Sequence, residues 1–162
     1  MRIIESTLEN RLTESLVLCE ADESDVPELK KAEDLCFPCD GWSAGMFVDA
    51  IKNDNCRIYI LYNTQLSKIV AYCVMYYCLD EADLANIATV PDERGKGKGK
   101  ALIDEMFREA LKYGASRIFL EVRESNTPAL SLYRSRDFKE IGRRKKYYRN
   151  PTEDAVIMVR EA

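Results

Sequence analysis

The chain has 162 residues, of which 46% are hydrophobic and 32% charged, and its net charge is −4 at neutral pH. This length is enough for one domain with its own core, and the composition excludes a disordered or fibrous protein. The sequence contains no histidine. That absence excludes Ser-His-Asp and Cys-His catalysis and most catalytic zinc sites.

The N-terminal segment gives no indication of export. Residues 1–15 include Glu5 and Glu9, where a secretory signal needs an apolar run, and no stretch of the sequence resembles a membrane span. We therefore expect a cytoplasmic protein with no membrane partner. Residues 1–15 are predicted to be an N-terminal extension, and residues 16–162 to form the functional domain.

The cysteines are predicted to be reduced thiols that pack as small hydrophobic side chains. Only Cys36 and Cys39, in "CFPC", have a spacing typical of a redox or metal site. A zinc site would need two more ligands, so we predict no metal, while a redox role for this pair stays open. The six cysteines are Cys19, Cys36, Cys39, Cys56, Cys73 and Cys78.

The first half of the chain predicts a strand, two helices and a hairpin. "SLVLCEA" is a predicted strand, and Asp25 and Pro27 begin a helix through "VPELKKAEDLCF". Ser43 can cap a second helix, "AGMFVDAIKN". The polar turn "NTQLSK" joins the β-rich runs "CRIYILY" and "KIVAYCVMYYCL", and "ADLANIATV" follows as a further strand.

The second half alternates helices and strands. From Ala101 the apolar spacing becomes helical, and Gly114 is suited to the C-terminal cap. "RIFLEVR" is a strand, and Thr127 and Pro128 have the N-cap and first-turn positions of a helix through "ALSLYRSR". The strands "FKEIGRRKKYYR" and "AVIMVRE" end the chain. This interleaving predicts an α/β or α+β domain built on a mixed sheet.

The segment "RGKGKGKAL" combines positive charge with backbone freedom. It fails the Walker A pattern because Ala101 follows Gly99-Lys100 and position 94 is Arg, and it also fails the G-x-G-x-x-G dinucleotide pattern. A solvated basic loop remains one interpretation. The other is an anion site, in which curled glycine backbone and the free N–H groups of the following helix bind a phosphate or diphosphate.

Several motifs together resemble the GNAT family of N-acetyltransferases. The spacing Arg94-x-x-Gly97-x-Gly99 is similar to the acyl-CoA signature Q/R-x-x-G-x-G/A of that family. "NIATV" before it resembles the splayed strand of these enzymes, and "LEVRESN" with "ALSLYRSRDF" resembles their later motif. The likeness runs from "AEDLCFPCDGWSAGMF" to "DAVIMV" and is greatest to members that acetylate a ribosomal protein.

The resemblance implies a single GNAT-like domain with a mostly antiparallel sheet of about six or seven strands flanked by helices. It also implies that acetyl-CoA is the co-substrate, with its diphosphate on the glycine-lysine loop and its pantetheine arm along the splayed strand. The implied cofactor-binding residues are Ile87, Ala88, Thr89, Arg94, Gly95, Lys96, Gly97, Lys98, Gly99, Lys100 and Asn126.

The catalytic roles follow from the same resemblance. Glu121 aligns with the family's general base, which removes a proton from the attacking amine, directly or through a water. Tyr133 aligns with the general acid that protonates the departing thiolate. Backbone N–H groups of residues 87–89 would stabilise the oxyanion. From the residues alone, Glu121 is also explained as a surface carboxylate, Tyr133 as a core tyrosine and Asn126 as a turn residue or local cap.

The sequence departs from the family pattern in places. Gly95 replaces the usual Arg or Gln, and Lys98 replaces an apolar residue, so we expect phosphate binding to depend more on Lys96, Lys98 and Lys100. Asp137 stands where the family has glycine. Aspartate tolerates a left-handed backbone better than most residues, so we expect no change of fold there.

The basic run "GRRKKYYR" near the end bears on the acceptor. Basic and aromatic residues together suit nucleic acid, but a charged edge strand explains the run as well, and the net negative charge argues against direct nucleic-acid binding. The resemblance implies that Tyr147 and Tyr148 lie beside the peptide-binding mouth and that Trp42 forms its opposite side. Trp42 is also explained as a core anchor.

The resulting hypothesis is an acetyl-CoA-dependent N-acetyltransferase that acts on a protein N-terminal α-amine, of a ribosomal protein of the S18 type. Two alternatives stay open. In one, the same chemistry acetylates a lysine side chain or a small amine. In the other, the chain is a non-catalytic acyl-CoA-binding module.

Overall fold

The computed structural model describes residues 2–4 and 16–161, and within these ranges eight strands and four α-helices are found. The helices are α1 (Val26–Cys36), α2 (Ala44–Ile51), α3 (Lys98–Lys112) and α4 (Thr127–Arg134). The strands are β1 (Arg2–Ile4), β2 (Leu16–Glu20), β3 (Cys56–Asn63), β4 (Lys68–Cys78), β5 (Glu81–Thr89), β6 (Arg117–Arg123), β7 (Lys139–Arg149) and β8 (Thr152–Glu161).

The strands form one mixed sheet in the order β1-β2-β3-β4-β5-β6-β8-β7. Within the described ranges, the strand pairings are antiparallel except that between β5 and β6. The predicted fold class is therefore confirmed, with one strand more than expected. That strand, β1, lies in the predicted extension and is too short to show an alternating pattern. Residues 5–15 of the extension lie outside the described residues.

Helices cover both faces of the sheet. On one face, α1 and α2 bury Leu29 and Phe47 against the central strands. On the other face, α3 and α4 pack on a second cluster, in which α3 buries Leu102 and Met106. Burial of each such side chain contributes about 1.5–3 kcal/mol relative to leaving it exposed. The apolar stripe predicted for α3 is confirmed except at its end, where Leu111 is 55% exposed.

Local sequence signals account for most element boundaries. The Ser43 hydroxyl accepts a hydrogen bond from the Met46 N–H, so the predicted cap of α2 is confirmed. In the β3–β4 hairpin, the side-chain oxygen of Asn63 accepts hydrogen bonds from the N–H groups of Gln65 and Leu66 at 3.0 and 2.9 Å. Such an Asx turn mimics a backbone turn and fixes the hairpin register.

Two predicted helix starts were wrong. Helix α3 begins at Lys98 instead of Ala101, because Gly97 adopts φ 78° and is the N-cap. Helix α4 is capped by Asn126, whose side-chain oxygen accepts from the Ala129 N–H at 3.2 Å, and Thr127 is its first residue. At the end of α3 the predicted cap is confirmed, since Gly114 has φ 80° and its N–H reaches the Leu111 carbonyl.

Asp137 adopts the left-handed conformation that the sequence comparison anticipated, with φ 63°. Its N–H donates to the Arg134 carbonyl at 3.2 Å, and the Phe138 N–H donates to the Tyr133 carbonyl at 3.1 Å. These bonds end α4 in the way a C-terminal glycine usually does. The aspartate therefore leaves the fold unchanged, as expected.

Candidate active site

The sheet opens between its two parallel strands. Pairing of β5 with β6 runs from Glu81–Arg117 to Leu84–Leu120 and then stops, although both strands continue. Beyond Leu84, β4 is the one strand within the described residues that pairs with β5. In such a one-sided ladder, alternate N–H and C=O groups point away from the paired strand and into the gap.

A β-bulge marks the point at which the strands part. The register of β5 against β4 shifts so that Leu84 pairs with Met75 and Asn86 with Val74, which leaves Ala85 as the extra residue. A bulge reverses the faces to which the following side chains point. Leu84 accordingly packs in the core under α3, whereas Ala88 packs in the core under α1.

The predicted glycine-lysine loop connects β5 to α3. A 3-10 turn, Pro91–Glu93, leads into the loop, and Gly95 and Gly97 have φ of 73° and 78°. The Ala101 N–H donates to the Gly97 carbonyl at 2.9 Å, so the helical ladder begins there. The N–H groups of Gly99 and Lys100 precede that bond and have no acceptor within the helix. With the positive end of the helix dipole, they give this helix start the features that suit an anion.

Close packing holds this helix start against the open strand. A Cβ atom on Gly99 would lie 3.2 Å from the Thr89 Oγ1 and 3.5 Å from a methyl carbon of Leu132, whereas one on Gly95 or Gly97 would meet nothing within 4 Å. The Arg94 Nε donates to the Thr89 carbonyl at 3.1 Å. The loop is therefore fixed to the end of β5, and its two left-handed glycines face open space.

The basic side chains of the loop differ in their surroundings. Lys96 pairs with the Glu93 carboxylate at 3.5 Å, and Lys98 is buried with only 2% of its surface exposed. Glu93 is itself buried and also approaches Lys68 at 3.6 Å. The three lysines therefore do not form the single solvated cluster that the interpretation as a basic loop implies. Of the three, Lys100 borders the adjacent groove and is not buried.

A groove of about 560 Å³ lies along the open strand and the helix start. We call it the large groove. It lies within the volume range of small-molecule and cofactor sites. Lys96 is the one predicted cofactor-binding residue that does not line it. The lining includes Cys36, Phe37, Ile87, Ala88, Thr89, Glu93, Arg94, Gly95, Gly97, Lys98, Gly99, Lys100, Asn126, Pro128, Ala129, Leu132 and Tyr133.

A second cavity of about 200 Å³, which we call the small pocket, adjoins the large groove. The two share Phe37, Ile87, Asn126 and Tyr133. Three of the side chains that line the small pocket are carboxylic acids. Its lining comprises Glu33, Phe37, Asp40, Trp42, Leu84, Ala85, Asn86, Ile87, Glu121, Val122, Arg123, Asn126, Tyr133 and Tyr148.

Glu121 is the first residue of β6 beyond the paired segment and lines the small pocket. Its side chain is 23% exposed and forms an ion pair with the Arg144 Nε at 3.0 Å. A hydrogen bond with Glu121 also raises the pKa of Tyr147, and the nearby Glu121 carboxylate adds to the effect of burial in raising the pKa of Asp83. The candidate base is thus held from the β7 side by two partners.

Tyr133 lies at the junction of the two cavities. It is 5% exposed, its ring packs 5.6 Å from that of Phe138, and burial raises the pKa of its phenol above the ordinary value. Tyr148 adds to that rise. The phenol is therefore protonated at neutral pH and available as a proton donor. The interpretation as a core tyrosine is confirmed, and the role as general acid stays a prediction for a residue that also borders both cavities.

For Asn126 the interpretation as a local cap is confirmed, and cofactor binding stays a prediction. Its side-chain oxygen caps α4 by accepting from the Ala129 N–H, and the residue lines both cavities. Because the cap uses only the side-chain oxygen, the amide NH₂ group of Asn126 is not part of it, and this group has two hydrogen-bond donors.

The predicted acceptor-side residues lie on two sides of the small pocket. Trp42 lines it, and its ring also packs 5.5 Å from Phe47, so it is an anchor as well as a wall. Tyr148 lines it from β7. Tyr147 does not line the pocket, although its ring packs 5.2 Å from that of Tyr148. The register of β7 against β8 shifts between Arg144 and Tyr148, next to these tyrosines.

Four polar residues that line the small pocket were not predicted from the sequence as site residues. They are Glu33, Asp40, Asn86 and Arg123. Glu33 is 1% exposed, accepts from the Trp42 N–H at 2.7 Å and from the Asn86 amide at 3.2 Å, and burial raises its pKa. On its helix it occupies one charged position among several. The detectable signal was the glutamate's place beside the apolar positions of α1, which implies that it faces inward.

The prediction that the cysteines pack as small hydrophobic side chains is confirmed for three of the six and is wrong for Cys39 and Cys78, which are exposed. None of the six, all within the described ranges, forms a disulfide bond, and Cys19, Cys56 and Cys73 are buried. Cys36 borders the large groove, where its Sγ lies 3.5 Å from the Thr89 carbonyl, and burial raises its pKa. Cys39 is exposed.

In this fold, a groove large enough for a cofactor and a smaller pocket with acidic side chains meet where two parallel strands separate. This arrangement is typical of an enzyme that brings a cofactor and a second substrate together. The family model described as Acetyltransferase (GNAT) family matches residues 26–138, and the chain therefore belongs to that family. The resemblance that the sequence motifs indicated is confirmed. Among helices in residues 16–161, none has the length and apolar character to cross a membrane.

Within the family, the chain is similar to enzymes that acetylate a ribosomal protein. The [ribosomal protein bS18]-alanine N-acetyltransferase of Escherichia coli is 43% identical over 99 residues, which are 59% of this chain and 66% of that protein. This chain thus spans just under two thirds of that relative. The protein of the same name from Haemophilus ducreyi is 37% identical over 120 residues, which are 72% of this chain and 81% of that protein.

A solved structure agrees with these relatives. The crystal structure of the ribosomal-protein-S18-alanine N-acetyltransferase from Escherichia coli matches with a TM-score of 0.83 and 31% identity. The match covers 90% of this chain and 93% of that chain. The likeness to ribosomal-protein acetyltransferases therefore holds in sequence and in fold.

Proposed function

We propose that this protein transfers the acetyl group of acetyl-CoA to the N-terminal α-amine of a ribosomal protein of the bS18 type. The observation that carries the proposal is the junction of the large groove with the acidic small pocket at Ile87, Asn126 and Tyr133. A donor held in the groove and an amine held in the pocket would meet there. Membership of the GNAT family and the relatives' activity support the assignment.

The large groove suits acetyl-CoA. The helix start at Gly97 to Lys100 offers backbone N–H groups and the positive end of a dipole to a diphosphate. The open edge of β5 runs from there to the junction, so the pantetheine arm would lie along residues 87–89 with the thioester at the junction. Lys100 and Arg94 would add electrostatic attraction, while Lys96 is engaged by Glu93.

The small pocket suits a cationic acceptor. Glu33, Asp40 and Glu121 line it, and a free α-amine is mostly protonated at neutral pH, with an ordinary pKa of about 7.7–8.0. Their carboxylate oxygens offer acceptors to the ammonium form, while Arg123 and Arg144 balance part of the charge of Asp40 and Glu121. Trp42 and Tyr148 would border the residues that follow the amine.

The reaction would begin with loss of a proton from the ammonium group to Glu121, directly or through a water. The amine nitrogen then attacks the thioester carbonyl carbon, and N–H groups of residues 87–89 that point into the gap would stabilise the oxyanion. Collapse breaks the C–S bond. Tyr133 would give its proton to the departing thiolate, and the resulting tyrosinate would take up the remaining extra proton of the amide nitrogen, directly or through a water, which leaves a neutral amide and free CoA.

An acceptor comparison tests the proposal. Purified protein and acetyl-CoA are incubated separately with a bS18 N-terminal peptide, with the same peptide carrying a blocked α-amine, and with a panel of lysine peptides and small amines. The masses of the products are then measured by mass spectrometry. The expected result is an acetyl mass added to the unblocked bS18 peptide alone. Acetylation confined to lysine or small amines would replace the proposed acceptor. Acetyl-CoA binding without transfer to any amine would favour a non-catalytic module.

A further inference from the structure

The Arg123 side chain connects parts of the chain that are far apart in sequence. Arg123 is the last residue of β6, two positions after Glu121, and lines the small pocket. Its side chain is 20% exposed. An arginine so enclosed is expected to have several partners, because an unpaired buried charge is costly.

One guanidinium nitrogen of Arg123 reaches the chain between α1 and α2. Its Nη2 pairs with the carboxylate of Asp40. Asp40 precedes Trp42 by two positions, and both residues line the small pocket. This contact therefore ties the end of β6 to the wall of the pocket that carries the tryptophan.

The same guanidinium also reaches the turn between β7 and β8. Nη1 pairs with the Glu153 carboxylate at 2.7 Å and donates to the Pro151 carbonyl at 3.3 Å, and Nη2 donates to the Asn150 carbonyl at 3.3 Å. The guanidinium carbon lies 4.2 Å from the ring centre of Tyr148. The opposite wall, which carries Tyr148, is tied to β6 by these contacts.

Planar, multidentate donation distinguishes arginine from lysine at this place. A guanidinium has five N–H donors in a fixed fork and stacks on an aromatic ring, whereas an ammonium is a single point charge on a flexible stem. Only the fork can hold two carboxylates and two carbonyls on opposite sides together. The other oxygen of Glu153 accepts from the Ser125 N–H at 3.1 Å, which extends the connection to the segment before α4.

We propose that Arg123 is a positioning residue for the acceptor: its guanidinium joins the two walls of the small pocket and thereby sets the KM for the peptide substrate. This inference rests on the proposed function of the pocket. Arg123 acts on the walls and not on the reacting atoms, so the rate of acetyl transfer from acetyl-CoA to a bound peptide does not depend on it.

The test compares Arg123→Lys with a matched control, Arg117→Lys. Arg117 starts the same strand and pairs with Glu81 at 2.7 Å, but it does not line either cavity. We expect Arg123→Lys to raise the KM for the bS18 peptide about tenfold, as the loss of a charged hydrogen bond implies. The kcat and the KM for acetyl-CoA stay within about twofold, and the control is unchanged in all three constants.

A second readout does not require the acceptor to be known. Trp42 is the one tryptophan of the chain, so its fluorescence reports on one wall of the small pocket. Released from Arg123, that wall is expected to admit acrylamide more readily, and Arg123→Lys and Asp40→Asn should both increase quenching of Trp42 while Arg117→Lys does not. Asp40→Asn keeps the contacts to Glu153 and serves if the arginine variant is poorly folded.

The two readouts separate this inference from the proposed function. If the wild-type protein acetylates no peptide, the proposed function fails while quenching still decides whether Arg123 joins the walls. Unchanged quenching in Arg123→Lys and Asp40→Asn overturns the inference. So does a fall in kcat with an unchanged peptide KM, which would assign Arg123 to the chemical step.

Discussion

Glu121 and Tyr133 border the same junction in opposite electrostatic surroundings. Glu121 is partly exposed and forms an ion pair with Arg144 at 3.0 Å. Tyr133 is buried, and burial raises its pKa. In the proposed mechanism the first group accepts a proton and the second donates one, which is the division of roles that general acid–base catalysis requires.

Glu121→Gln is expected to lower kcat by roughly 10²-fold or more, because an amide cannot remove the proton and a positioned base contributes about 10²–10⁴-fold. Acetyl-CoA affinity, measured by calorimetry, should not change. Glu124→Gln is the matched control, since Glu124 is a carboxylate of the same segment that pairs with Arg143 at 3.1 Å outside the cavities. A kcat within twofold of wild type for Glu121→Gln would remove Glu121 from the mechanism.

Tyr133→Phe keeps the ring packing and removes the proton donor, so kcat should fall by about 10²-fold with little change in melting temperature. The pH profile provides an independent check. The pKa of Tyr133 is raised above the ordinary value of 10.0, so its acid form persists as pH rises and is lost only above that value. The wild-type kcat should therefore show no loss assignable to this tyrosine up to about pH 10. A decline near pH 8 to 9 that vanishes in Tyr133→Phe contradicts the assignment.

At the scale of elements, one irregularity in a strand and one in a helix start create the site. The bulge at Ala85 ends the pairing of β5 with β6 and exposes backbone groups along the open strand. The left-handed Gly97 starts α3 so that its first N–H groups border the same groove. Regular continuation of either element would have closed the groove or turned the helix start away.

Gly97→Ala tests the helix start. An alanine at φ 78° costs about 1–2 kcal/mol of stability, although its Cβ has space. We expect lower acetyl-CoA affinity with this loss, since the strain is relieved by moving the anion-binding N–H groups. Gly45→Ala in α2 is the control, because its Cβ would meet only the Ser43 Oγ at 3.7 Å; there the exchange should stabilise by about 0.5–1 kcal/mol.

Urea unfolding and calorimetry give both quantities for these two variants. If Gly97→Ala binds acetyl-CoA as tightly as the wild type, the helix start is not the diphosphate site. Equal effects of the two alanine exchanges would contradict the conformational argument.

At the scale of the whole molecule, the site lies where the two halves of the sheet diverge. Helices α1 and α2 pack on one face and α3 and α4 on the other, so a ligand between the parted strands contacts both cores. Binding should therefore stabilise the fold as a unit and not only one loop.

Acetyl-CoA at about 100 times its Kd should add about 2.7 kcal/mol to the free energy of unfolding. For a chain of this size the melting temperature then rises by roughly 5–10 °C. Glu121→Gln should show the same shift because it retains the groove, whereas Gly97→Ala should show a smaller one. Desulfo-CoA, which keeps the diphosphate, serves as the control ligand and should stabilise nearly as well. No shift with either ligand would contradict binding in the large groove.

The sequence determined the local elements and the loop chemistry. Period-2 and period-3.6 patterns, Ser43, Gly114 and the Asn63 turn depend on neighbours along the chain, and they were predicted correctly. The motif resemblance located the loop between β5 and α3. Where prediction failed, at the starts of α3 and α4, the cap depended on a backbone angle or on one side-chain bond that has no unique sequence pattern.

Contacts between charged and polar residues that are far apart in sequence could be seen only in the folded structure. Arg123 lies 83 positions from Asp40 and 30 from Glu153 in sequence, and Glu33 lies 53 positions from Asn86, yet each pair is in contact. Burial of Lys98 and the pairing of Lys96 with Glu93 likewise depend on which surfaces meet when the helices close on the sheet. Local order follows from short-range sterics and hydrogen bonds, whereas the walls of a pocket are set by side chains that only the folded sheet brings together.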